Sequence, residues 1–304
     1  MQTACAGSTP DYVTFSFSQT KQKHVRAMHR FFNGPLCNEA YTLTFGDRAE
    51  NQKGMEIIGN CASKGLSVAE LRGIEARLTT LGIVCRLISL DQLAPHQITA
   101  ESAVLVIRDG VSGLVKDSKG EDVMYKELRS MPKDKTYLNS YGNVVNNKAR
   151  HNNTMADYNQ EPDIPAGKGT VLNFKDYPMT GKLRDAIANL ISYPSLVGEL
   201  NHYYDAEKCS IGWHGDEERK IVVGARFGYG ANDFPLKFQW YMKGKAIGFE
   251  GQVKLYAGDV YIMSEKTVGY DTWTNPWMPT LRHAAGKTTG IKRKAGEDGC
   301  VKQL

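Results

Sequence analysis

Two histidines and an aspartate carry the most legible chemistry in this chain. His214 and Asp216 stand two residues apart in Ile211-Gly212-Trp213-His214-Gly215-Asp216-Glu217-Glu218, and His283 follows in Thr280-Leu281-Arg282-His283-Ala284. Side chains alternate along a strand, so residues 214 and 216 of one strand project to the same face. An imidazole nitrogen and a carboxylate oxygen at that spacing can take two adjacent positions on a metal. A second imidazole from a later strand completes one face of an octahedron and leaves three positions open, the arrangement that suits non-haem Fe(II). A hydrogen-bonded His–Asp pair without metal is the plain alternative for the tripeptide alone.

These residues need strands to position them, and the second half of the chain supplies strand-like segments. Lys220–Gly228, Leu236–Met242, Ala246–Phe249, Val253–Tyr256, Val260–Met263 and Thr280–Ala284 are short and apolar-patterned. Glycine turns such as Lys243-Gly244-Lys245 and Gly258-Asp259 punctuate them. Many short strands with little helix predict an antiparallel sandwich or jelly roll. Within Lys220–Gly228, alternation puts Ile221, Val223, Ala225 and Phe227 on one face and Val222, Gly224 and Arg226 on the other. A cation on such a strand requires a partner, an acidic neighbour or a bound anion.

The first half reads differently. Ala40–Phe45 alternates as a strand. Ser67 and Glu70 form a capping box ahead of Val68, Leu71, Ile74, Leu78 and Leu81, and Gly82 closes that helix. Val84–Leu90 and Ala103–Ile107 read as short buried strands. No Gly-x-Gly-x-x-Gly or P-loop accompanies them. From about Lys133 to Gly169, asparagines, prolines and glycines predict turns and long loops, a linker or a lid. A helix follows through Leu183, Ile187 and Leu190, stopped by Pro194.

Composition narrows the class. The chain has 304 residues, 41% hydrophobic and 23% charged, with formal net charge +5. This is globular usage, not that of a disordered or coiled-coil chain. No apolar run approaches a membrane span, and Met1–Pro10 lacks the regions of a signal peptide. Six cysteines without a Cys-x-x-Cys pair fit reduced thiols, so an intracellular, soluble protein with no membrane partner is expected. Five cations against two anions between Lys287 and Leu304 are compatible with a polyanionic partner.

The order Asn201-His202-Tyr203-Tyr204, then His214-Gly215-Asp216-Glu217-Glu218, then Ile221–Gly228, then Leu255-Tyr256-Ala257-Gly258-Asp259-Val260-Tyr261-Ile262-Met263, then Arg282-His283 resembles the AlkB-like family of 2-oxoglutarate- and Fe(II)-dependent dioxygenases. The resemblance covers about half the chain, from Lys148 to Gly286. The strand and helix layout of the first half, which has no counterpart in the better-known members, suits a small N-terminal α/β domain at residues 1–128. The resemblance implies a C-terminal domain at 129–304 built as a double-stranded β-helix, or jelly roll, so the whole chain is expected to be α+β.

It further implies His214, Asp216 and His283 as ligands of Fe(II), with 2-oxoglutarate and O2 as cosubstrates. Asn201 and Tyr203 would hydrogen-bond the 2-oxoglutarate, with Tyr204 the alternative to Tyr203. The family's Arg-x-Asn-x-Thr-x-Arg strand does not follow His283, where Lys287–Lys294 stand instead. Two residues therefore compete to clamp the distal carboxylate: Arg293, ten residues beyond His283, and Arg226. A guanidinium is the donor best matched to that group. The expected reaction is hydroxylation of an unactivated C–H bond, foremost the oxidative demethylation of an alkylated or methylated base in DNA or RNA. A protein side-chain hydroxylase and a non-catalytic jelly-roll binding module are the alternatives. Trp213, Trp240, Tyr241, Trp273 and Trp277 are either pocket lining or sandwich core.

Overall fold

The computed structural model describes residues 12–15, 38–95, 98, 100–273 and 277–287. Arg293, the basic tail beyond Lys287, and Cys5, Cys37 and Cys300 lie outside the described residues. Strands dominate, and they gather into two large, mainly antiparallel sheets with few helices. In chain order the strands are β1 (Tyr12–Phe15), β2 (Ala40–Gly46), β3 (Arg48–Glu50), β4 (Ile57–Gly59), β5 (Cys85–Ser89), β6 (Ala103–Ile107), β7 (Thr136–Leu138), β8 (Val144–Asn146), β9 (His151–Ala156) and β10 (Val171–Asn173). Then follow β11 (Val197–Tyr203), β12 (Ile211–His214), β13 (Val223–Phe227), β14 (Leu236–Met242), β15 (Lys245–Val253), β16 (Val260–Met263) and β17 (Thr280–Ala285). The helices are α1 (Val68–Thr80), α2 (Gly110–Val115), α3 (Gly120–Ser130), α4 (Pro178–Ile191) and the single turn α5 (Glu265–Val268).

The larger sheet has eight strands in the order β10-β9-β11-β2-β13-β16-β6-β5, and the smaller has five in the order β1-β15-β14-β17-β12. Only β9–β10 and β1–β15 are parallel pairs within them. Strands from either side of position 128 alternate in the eight-stranded sheet, where β2 lies between β11 and β13 and β6 beside β16. The boundary at 128/129 expected from the sequence thus does not separate two sheets. Local patterning reveals a strand but carries no information about which distant strand it will pair with.

Both faces of the large sheet are covered, and side-chain alternation divides its residues between two cores. In β6, Ala103, Leu105 and Ile107 join Leu71, Ile74 and Leu78 of α1, Met124 and Leu128 of α3 and Leu183 and Ile187 of α4. Val104 and Val106 of the same strand face the other way, onto Leu236, Phe238 and Trp240 of β14, Val253 of β15 and Leu281 of β17. The layers therefore run helices, eight-stranded sheet, five-stranded sheet. Trp240 is wholly buried between the sheets, and its indole N–H donates to the Leu90 carbonyl at 2.9 Å.

The local expectations mostly hold. Ser67 caps α1, and the reciprocal Glu70 bond completes its capping box. Ile221, Val223, Ala225 and Phe227 share the helix-side core while Val222 lies between the sheets. The Asn-rich stretch departs from the loop expectation: it forms the β7–β8 hairpin and then β9, an inner strand of the large sheet. No helix among the described residues is long and apolar enough to cross a membrane.

Candidate metal centre

The space between the sheets changes character along the large sheet. At β6 and β16 it is apolar. Toward β2, β11 and β9 the inward residues become Thr42, Thr44, Glu199, Asn201, Tyr203 and Asn152, all buried. Buried polar groups are usually paired, and here Thr44, Glu199, Asn201 and Asn152 are joined through one another and Arg219 in a connected cluster.

β12 and β17 bring the histidines into it. They pair antiparallel with His214 opposite His283, and the two rings lie 4.3 Å apart at 57°. Nε2 of His214 is 3.3 Å, and Nε2 of His283 3.4 Å, from the same Oδ1 of Asp216. The ligand atoms of all three residues lie within 4.8 Å of one another, a group able to hold a metal ion. Asp216 lies beyond the end of β12 rather than on it. Its position comes from the backbone instead, the Asp216 N–H donating to the Val268 carbonyl at 3.0 Å.

The surroundings orient each of these donor groups. Nδ1–H of His214 donates to the Gly212 carbonyl at 2.8 Å, which leaves the Nε2 lone pair turned to the cluster. Burial, and then the neighbouring His214, push the His283 imidazole toward its neutral form. Burial opposes the charge on Asp216, but the Arg219 guanidinium holds its carboxyl well below the usual range. Imidazole nitrogens and an ionised carboxylate are donor types a divalent transition metal takes.

Of the residues expected to hold a cosubstrate, Asn201 and Tyr203 share the inward face of β11. Asn201 accepts from Arg150 Nε and Asn152 Nδ2, both at 2.6 Å, and donates to Glu199 at 2.9 Å. Tyr203 is buried, its hydroxyl pushed up to about 12 by burial, and its ring packs on Phe234 with centroids 4.2 Å apart. Tyr204 turns to the opposite face, is partly exposed, and donates to the Lys148 carbonyl.

Arg226 is the most unusual of them. It is 0% exposed, yet none of its three guanidinium nitrogens has a hydrogen-bond partner among the described residues. Its guanidinium carbon lies 5.0 Å from the Phe234 ring centre. Burial works against its charge, with the hydroxyls of Tyr261 and Tyr203 and the Asp259 carboxylate as its electrostatic neighbours. Tyr261, buried opposite Gly224, is within electrostatic reach of Arg226, Tyr203, Arg219 and Asp216 alike. One continuous polar region therefore runs from the His–Asp–His group to Arg226.

Sequence reading missed three of its members, Arg219, Glu199 and Arg150. The only local signal was that Arg219 follows Asp216 by three residues. Asp259 is the turn residue expected, and it is buried, accepting from Asp109 N at 3.1 Å and Tyr256 N at 2.8 Å and pairing with Arg108. Among the aromatics, Trp240 is core, Trp213 is half-buried beside Tyr241, and Trp277 is 66% exposed under Lys243. The described cysteines, Cys61, Cys85 and Cys209, are free thiols.

No protein-family model matches the chain. Over 261 residues it is 38% identical to "Uncharacterized protein R156" of Acanthamoeba polyphaga mimivirus, a match spanning 84% of this chain and 98% of that protein. Identity at that level, over nearly the whole of the viral protein, means that this chain belongs to the same family as the mimivirus protein.

Proposed function

We propose that the protein is an Fe(II)- and 2-oxoglutarate-dependent dioxygenase whose metal ligands are His214, Asp216 and His283. The observation that carries this reading is the meeting of two imidazole Nε2 atoms on one buried carboxylate oxygen. The unpartnered Arg226 guanidinium in the same polar region adds to it. The two stacked, mainly antiparallel sheets are compatible with a double-stranded β-helix, the fold such enzymes use.

Bound Fe(II) would supply the dioxygen activation that couples decarboxylation of 2-oxoglutarate to oxidation of an unactivated C–H bond. The chain itself binds and orients. Arg226 receives the distal carboxylate of the cosubstrate in a site closed to water, where a bidentate guanidinium–carboxylate pair is strongest. Asn201 and Tyr203 present hydrogen-bonding groups from β11 to the rest of that dianion. His214, fixed through Gly212, and Asp216, fixed through Val268 and Arg219, keep their donor atoms converged before any ligand arrives.

The leading substrate is an alkylated or methylated nucleic-acid base. Burial and the charge of Asp216 push the Glu218 carboxyl up to about 8, and Glu50 and Glu217 lie nearby. A carboxyl raised this far is largely uncharged at neutral pH, so it suits a neutral group at the reacting carbon. Protein side-chain hydroxylation on the same fold is the second reading.

The test is succinate release from 2-oxoglutarate with Fe(II), measured against methylated single- and double-stranded oligonucleotides and against a pool of extract proteins. Turnover with oligonucleotides, with binding that falls steeply as salt rises, supports the first reading. Turnover with the protein pool alone supports the second. Undiminished 2-oxoglutarate consumption by a His214→Ala, Asp216→Ala double variant refutes both.

A further inference from the structure

The two oxygens of Asp216 have different surroundings. Oδ1 faces both histidine Nε2 atoms, while Oδ2 accepts from Arg219 Nε at 2.8 Å. Arg219 is itself clamped: its Nη1 lies 3.0 Å from Glu199 Oε2 and donates to Thr44 Oγ1 at 3.3 Å, and its Nε is 3.3 Å from Glu218 Oε1. Arg219, Glu199 and Asp216 are all buried. The other oxygen of Glu199 accepts from Asn201 at 2.9 Å, and Asn201 accepts from Arg150 at 2.6 Å. A planar guanidinium with fixed donors, anchored at its far side to a second carboxylate, sets direction as well as charge.

We propose that Arg219 is a positioning residue that restricts Asp216 to ligating through one oxygen, and that Glu199 ties this restraint to Asn201. The inference rests on the metal reading above and deepens it. A carboxylate ligates a metal through one oxygen or through two. With Oδ2 engaged by Arg219, the second mode is closed, and the metal keeps three positions for exchangeable ligands. Freed of Arg219, Asp216 can turn Oδ2 inward and take one of those positions. The route from Arg219 through Glu199 to Asn201 is composed of charged or charge-assisted hydrogen bonds, so a shift of Asn201 is transmitted to the carboxylate that holds the metal.

The test uses Mn(II), a paramagnetic ion without the redox chemistry of iron, and reads water-proton relaxation enhancement per bound ion. Wild-type protein should show the enhancement of three exchangeable waters. Arg219→Met should show a loss of about one third, as three open positions become two, and Arg219→Lys should recover most of it. Because Met at 219 leaves the buried Glu199 without its ion-pair partner at Oε2, the charge-balanced Arg219→Met, Glu199→Gln variant is measured beside it and carries the same expectation. A merely structural role would lower thermal stability and leave the enhancement per bound ion unchanged, and that result overturns the proposal. So does a wild-type enhancement corresponding to two waters, which needs no variant. A wild-type protein that binds no Mn(II) overturns instead the metal reading beneath it.

Discussion

His214 and His283 face each other as a register pair across two antiparallel strands, their rings 4.3 Å apart and their Nε2 atoms on one Asp216 oxygen. Three groups whose ligand atoms lie within 4.8 Å of one another can converge on one cation, so a divalent cation should stabilise the fold. Titrating Mn(II), or Fe(II) without oxygen, should raise the thermal midpoint. A hundredfold excess over the dissociation constant is worth about 2.7 kcal/mol. A chelator should reverse the rise, and His283→Ala should abolish it. An equal rise in that variant would place the metal elsewhere.

Arg226 is a wholly buried guanidinium without hydrogen bonds to the described residues. A buried charge without a partner costs free energy that an apolar side chain of similar volume does not. Arg226→Met should therefore unfold at the same or a higher denaturant concentration. Its affinity for 2-oxoglutarate, read by calorimetry on metal-loaded protein, should fall about 10- to 150-fold with the charged hydrogen bonds it loses, at about 1.5–3 kcal/mol. Unchanged affinity would assign the carboxylate clamp to another residue.

Gly224 marks a close approach between β13 and the Tyr261 ring. A Cβ at position 224 would lie 2.1 Å from Tyr261 Cζ, closer than any packing allows. Gly224→Ala should cost about 1–3 kcal/mol in urea unfolding through overpacking. The double variant with Tyr261→Ala should lose less than the sum of the two single changes, since it removes the clash.

Glu39 anchors the helix side of the large sheet. It accepts from Tyr125 at 2.8 Å, from His202 at 3.0 Å and from Tyr41 at 3.1 Å. Burial alone would raise its carboxyl, but these bonds and the His202 charge outweigh that and bring it from 4.5 to about 2. A carboxylate lowered in the folded state stabilises above its unfolded value and loses that contribution as pH falls through its folded one. Stability should thus decline between pH 4.5 and 2, by about 3 kcal/mol for this group. Glu39→Gln should be less stable at neutral pH, with a flatter acid limb in denaturant titrations at stepped pH.

Much of the secondary structure was legible because its causes are local. The capping box of Ser67 and Glu70, the alternation that put Arg226 opposite Val223, Ala225 and Phe227, and the turn at Gly258-Asp259 each depend on neighbours within a few residues. Strands β9 and β11 were harder to see. Their inward residues Asn152, Glu199 and Asn201 are polar, and the apolar signal of a buried strand is missing where a site requires the opposite.

By itself the sequence determined the types and spacing of the candidate metal-ligating residues, the faces of the strands and the caps of the helices, all set by backbone geometry and short-range contacts. Only the tertiary structure decided that His283 stands opposite His214, that strands from both halves of the chain interleave in one sheet, and that Arg219, fixed by Glu199, takes the second oxygen of Asp216. Such pairings join segments far apart in the chain. They are selected by the burial of two sheet faces together and by the need of every buried charge for a partner, conditions that no local window of residues contains.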